Sequence, residues 1–130
     1  MPFTVSEPMP TTVYVLDPDP AERAWIEGAL ARSVDDLVFL DDHQDMVAKL
    51  AGAPDSCLIA SADGNEATTL RLVRELRSAG VEVPVIVLGP HTAFRTAVNI
   101  ARLDATDFLE RPVSVRQLRA ALRRACPEVK

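Results

Sequence analysis

Apolar residues follow two alternating rhythms along this chain. Short unbroken runs carry only apolar side chains: "VYVL" from Val13 to Leu16, "LVFL" from Leu37 to Leu40, "CLIA" from Cys57 to Ala60, and "VPVIVL" from Val83 to Leu88. A run that is apolar at every position suits a strand covered on both faces. Between the runs, apolar residues recur three and four apart, as on one side of a helix. They are Trp25, Ile26, Ala29 and Leu30; Met46, Val47 and Leu50; Leu70, Val73 and Leu76; Phe94, Val98 and Ala101; and Val115, Leu118, Leu122 and Ala125. Asp107–Leu109 is a short fifth strand, ended by Pro112.

The punctuation agrees with these elements. Pro20 suits the first turn of a helix, and Asp19 stands where a cap is needed. Asp41 or Asp42 can cap the second helix, which stops at Gly52 and Pro54. Gly80 ends the third, and Gly89-Pro90 breaks the fourth strand. Strand followed by helix, five times over, predicts a parallel sheet with right-handed crossovers and helices on both faces. The site of such a sheet lies beyond the carboxyl ends of its strands. Those ends are Asp17-Pro18, Ala60-Ser61, Gly89-Pro90 and Glu110-Arg111.

Composition narrows the classes. A chain of 130 residues, 48% hydrophobic and 25% charged, has the makeup of one globular domain. Its net charge of −5 argues against a nucleic-acid or membrane binder. No apolar run is long enough to span a bilayer, and the first residues do not read as a secretory signal. Residues 1–11, with prolines at 2, 8 and 10, are expected to form a loose arm. The domain is expected over 12–126, and residues 127–130 as a tail or the start of a linker. The two cysteines, Cys57 and Cys126, are expected as free thiols in a reducing cytoplasm. His43 and His91 form no metal-binding pair, and no glycine-rich phosphate loop or nucleophile elbow is present.

Four segments carry a resemblance: "VYVLDPDPAER", "PDSCLIAS", "LRLVRELRSAGVEVPVIVLGPH" and "AVNIARLDATDFLERP". Together they resemble a response-regulator receiver domain of two-component signalling, from about Thr12 to Ala125. The resemblance implies a flavodoxin-like (βα)5 doubly wound sandwich with strand order 2-1-3-4-5. In receivers, three carboxylates hold Mg²⁺ and one of them is phosphorylated. A hydroxyl after the fourth strand and a lysine after the fifth read the phosphoryl group. Hard oxygen ligands suit the metal, and positive charge suits the phosphoryl oxygens.

Carried over residue by residue, the pattern is incomplete here. Asp17 matches the first acid of the strand-end pair, and Pro18 stands in place of the second. Asp19 matches a neighbouring position that is not the expected ligand. The acceptor position falls on Ala60 counted from "PD", or on Ser61 counted back from "LVRELR". Gly89 stands in place of the hydroxyl residue, and Arg111 in place of the lysine. Pro112 matches a proline with a cis bond before it, and Phe108 matches the switch aromatic. The resemblance therefore implies a degenerate phosphorylation pocket in a pseudo-receiver, with no catalytic residues. It implies no cofactor and weak or absent Mg²⁺ binding. Asp63 is read as a solvated loop acid.

The last helix is basic, which a solvated face explains. The resemblance adds a homodimer face built by the fourth predicted helix, the fifth strand and the fifth predicted helix. Arg95, Arg102, Asp104, Asp107, Glu110, Arg116 and Arg119 are placed to contribute to it. The expected function is a cytoplasmic, phosphorylation-independent dimerisation or protein-interaction module. It would control an attached or partner effector, transcriptional in kind. It would not be an enzyme and would not bind nucleic acid or membrane itself. The alternatives are an active phosphotransfer receiver with an unusual acceptor, and a pseudo-receiver that senses a small ligand.

Overall fold

A computed structural model describes residues 12–40, 46–62, 66–90 and 107–125. Five strands lie in one sheet: β1 (Thr12–Leu16), β2 (Asp36–Leu40), β3 (Cys57–Ser61), β4 (Val85–Gly89) and β5 (Asp107–Glu110). All neighbouring pairs are parallel, and the order is β2-β1-β3-β4-β5. The helices are α1 (Pro20–Leu30), α2 (Met46–Ala51), α3 (Glu66–Ser78) and α4 (Val115–Ala125). The helix expected through Phe94, Val98 and Ala101 lies outside the described residues, so α4 here is the last helix of the sequence reading. The expected arm and tail also lie outside them.

The alternation of side chains along a strand divides the core in two. Val13, Val15, Cys57, Ile59, Ile86 and Leu88 point to one face. There they pack against Ile26, Ala29 and Leu30 of α1 and Leu118, Ala121 and Leu122 of α4. Leu58, Ala60, Val85 and Val87 point to the other face. There they meet Met46 and Leu50 of α2 and Leu72, Val73 and Leu76 of α3. Both faces of the central strands are covered, which explains runs with no polar position.

Local signals set the element ends. Asp19 caps α1, its carboxylate accepting from the Ala21 amide at 3.0 Å, with Pro20 at the first helical position. Gly80, after α3, has φ of +78°, a conformation that costs glycine little. At the start of α4, the Gln117 amide donates to Ser114 Oγ at 3.0 Å. The Ser114 amide donates in return to Gln117 Oε1 at 2.9 Å. This reciprocal capping box was not read from the sequence.

Two expectations change. The fourth strand was expected at Val83–Leu88, and it runs Val85–Gly89. The carbonyls of Val81 and Val83 accept from the Arg77 guanidinium at 2.8 and 3.0 Å, which draws that segment out of the ladder. Gly89 joins the ladder because its carbonyl accepts from the Arg111 amide at 2.8 Å. The cysteine expectation is also corrected for Cys57, which is disulfide-bonded and not a free thiol. The other cysteine, Cys126, lies outside the described residues.

Candidate functional site

The carboxyl ends of β1, β3, β4 and β5 meet at one edge of the sheet, and the chain turns there into the helices. Asp17 follows β1 and is 2% exposed. Its Oδ1 accepts from the Asp19 amide at 2.9 Å. Its Oδ2 is buried without a hydrogen-bond partner placed by geometry among the described residues. Arg23, one turn into α1, donates from Nε to the Asp17 carbonyl and from Nη2 to the Leu40 carbonyl at 3.0 Å. The same guanidinium lies 5.7 Å from the centre of the Phe39 ring. Arg23 therefore ties the ends of β1 and β2 together.

Arg111, after β5, brings the far side of the site in. Its Nε and Nη2 donate to the Glu22 carboxylate at 2.9 and 2.5 Å, and Nη2 also donates to Ser61 Oγ at 2.9 Å. Ser61 is positioned by β3 and by Thr69 of α3, whose hydroxyl donates to the Ser61 carbonyl at 3.3 Å. The Arg111–Pro112 bond is cis, as the resemblance implied.

The charges are settled by these contacts. Burial, and then a hydrogen bond shared with Glu22, push the Asp17 carboxyl up to about 7. The Arg111 guanidinium holds Glu22 below the usual carboxylate range. Asp17 is therefore near its titration midpoint at neutral pH, while Glu22 stays ionised beside Arg111. When Asp17 is protonated, the neutral acid, the Glu22 carboxylate and the Arg111 guanidinium together carry no net charge.

The register puts Ala60 and Ser61 on different faces of the sheet. Ala60 pairs with Leu16 and Val87, is 1% exposed, and faces the core under α2 and α3. Ser61 faces the strand-end site and meets Arg111 there. Pro18 and Asp19 are exposed beside it. Gly89 is buried, and a Cβ built on it would lie 2.9 Å from Phe108 Cζ and 3.1 Å from Cε2. The Phe108 ring thus fills the volume that a side chain at position 89 would need.

No protein-family model matches the chain. The transcriptional regulatory protein FixJ of Bradyrhizobium diazoefficiens is 26% identical over 122 residues, covering 91% of this chain and 60% of that protein. FixJ of Azorhizobium caulinodans is 32% identical over 114 residues, covering 85% of this chain and 53% of that protein. The crystal structure of FixJ-N superposes with a TM-score of 0.78 at 19% identity, covering 91% of this chain and 94% of that one. In sequence and in fold the chain is similar to response-regulator receiver domains. The chain spans little more than half of the FixJ proteins that it matches.

Receivers imply Mg²⁺, and the donor set of this chain does not fit the ion. Pro18 offers no oxygen, the Glu22 carboxylate is engaged by Arg111, and Asp17 is held toward its neutral form. Among the described residues, no three histidine, cysteine, aspartate or glutamate side chains gather as a metal group would require. No helix among them is long and apolar enough to cross a membrane.

Of the residues assigned to the dimer face, Arg95, Arg102 and Asp104 lie outside the described residues, as do Asp63, His43 and His91. Asp107 forms an ion pair with Arg124, while Glu110 and Arg116 are exposed. Arg119 donates to the Ala29 carbonyl at 2.9 Å and is bonded to the end of α1. Glu22 and Arg23 were not anticipated as site residues. An acid in the first turn reads as a helix-dipole partner, and nothing near it in sequence points to Arg111.

Proposed function

We propose that this receiver works without phosphorylation, as a cytoplasmic dimerisation and protein-interaction module that controls an attached or partner effector of the transcriptional kind. The observation that carries this reading is Ser61. A hydroxyl, not a carboxylate, faces the site at the end of β3, and it accepts a hydrogen bond from a guanidinium. A hydroxyl so engaged is a poor nucleophile toward a phosphodonor. The Mg²⁺ donor set and the ring of Phe108 against Gly89 support the same reading.

The effector is inferred from the relatives, which are transcriptional regulators about twice this length or less. Dimerisation is inferred from mixed charge near β5 and α4, where Asp107, Glu110, Arg116 and Arg124 supply both signs.

The test is intact mass after incubation of the chain with acetyl phosphate and Mg²⁺, with light scattering across a concentration series. The expected result is an unmodified mass and a dimer that forms with or without the phosphodonor. A phosphorylated product, or dimerisation only after phosphorylation, overturns the reading.

A further inference from the structure

Glu22 enters the strand-end site from the first turn of α1 and meets a residue 89 positions further along the chain. Both of its oxygens accept from the Arg111 guanidinium, at 2.9 and 2.5 Å. Ser61 Oγ lies 2.9 Å from the same Nη2. A carboxylate, a guanidinium and a hydroxyl therefore converge at the carboxyl ends of β3 and β5. The guanidinium fork engages planar carboxylates and phosphoryl oxygens by the same two-point geometry, so the two kinds of anion compete for it. The Arg111 and Glu22 side chains are 20% and 18% exposed. The contact thus sits at the mouth of the site, where anions from solvent can reach it.

We propose that Glu22 is a built-in ligand of this pocket: an intramolecular latch that takes the oxyanion place beside Arg111 and Ser61 and keeps external anions out. The inference rests on the reading of the domain as phosphorylation-independent and gives that independence a cause in α1. A tethered carboxylate competes at a high effective concentration, so an external anion meets a site that is rarely open. Arg111 is then not a surviving phosphate reader waiting for its ligand. It is an anchor for α1, joining the first helix to the end of β5.

The test uses inorganic phosphate as the probe, titrated into the whole chain and into Glu22→Gln. The readouts are the amide resonances of Ser61 and Arg111 and the Arg111 Nε–H resonance. Glutamine keeps the size of Glu22 and removes its charge. The expected result is no saturable shift in the natural chain and a saturable one in Glu22→Gln, with affinity at least about tenfold higher. Adding Arg111→Gln to that variant should abolish the response. Equal phosphate binding in the natural chain and in Glu22→Gln overturns the latch. Absence of binding in Glu22→Gln overturns it too, while leaving the phosphorylation-independent reading in place. That reading fails separately, if the natural chain takes a phosphoryl group from acetyl phosphate. Should Glu22→Gln not fold, Glu22→Asp tests the same competition, because its shorter reach must also raise phosphate affinity.

Discussion

The layer between the sheet and its α1 and α4 helices and the pocket at the strand ends are both filled by the chain itself, in opposite ways. The layer is filled by side chains such as Ile26, Leu30, Ile86 and Leu118, which need only to be apolar and of suitable volume. The pocket is filled by Asp17, Glu22, Ser61 and Arg111, each of which must find a particular partner atom. Volume is a forgiving requirement, and pairing is not. The same fold therefore tolerates replacement of its strand-end residues, provided the new set satisfies its own hydrogen bonds.

That contrast can be broken most forcefully in the layer. Ile26 is fully buried between α1 and the sheet. Ile26→Ala should cost about 2–5 kcal/mol, read from the midpoint of urea unfolding at constant slope. The next largest effect is expected at the contact between the two regions. Gly89→Thr introduces a Cβ 2.9 Å from Phe108 Cζ, so the ring must leave its place. A loss of about 1–3 kcal/mol should accompany changed aromatic resonances of Phe108.

A smaller effect, and one of distinct sign, belongs to the pocket. The Asp17 carboxyl is raised from 3.8 to about 7 in the folded chain. A raised pKa means that the folded state holds the proton more tightly than the unfolded state. This contribution is complete below about pH 4 and is lost as pH rises through 7. Glu22, held low by Arg111, acts the other way and only in acid, losing its contribution as pH falls below 4.5. Thermal stability should therefore decline from about pH 5 to pH 8, and Asp17→Asn should flatten that decline. A flat profile in the natural chain would contradict the raised pKa of Asp17. The smallest effect is expected at the surface. Arg124 pairs with Asp107 but is 60% exposed, so Arg124→Ala should cost about 0–1 kcal/mol. Any larger consequence, seen in light scattering, would come from assembly.

The same contrast explains what was legible in the sequence. Most strand runs and helical stripes, the Asp19 cap and the Gly80 stop are local patterns and appear in the structure, though the fourth strand is shifted to Val85–Gly89 and the stripe through Phe94, Val98 and Ala101 lies outside the described residues. Strand order, and the expectation of a cis bond before Pro112, came with the receiver resemblance rather than from periodicity. The Ala60 or Ser61 ambiguity was a matter of register. One residue of slip reverses the face of a strand side chain, and only pairing with β1 and β4 shows which face each of the two residues takes. The Glu22–Arg111 pair was not legible because its partners are 89 residues apart and each has an ordinary local explanation. The Cys57 disulfide was hidden in the same way, since an apolar strand gives no sign of what its cysteine meets.

The central claim is that the strand-end pocket is complete without phosphate or metal. The most direct measurement is an amide NMR titration of the chain with Mg²⁺ and then beryllium fluoride, a mimic of the phosphoryl group. The account predicts that Asp17, Ser61, Gly89 and Phe108 keep their resonance positions throughout. Saturable shifts at Asp17 and Ser61 that spread to Phe108 would contradict it, because they would mean that the pocket still binds the phosphoryl mimic and transmits its presence along β5.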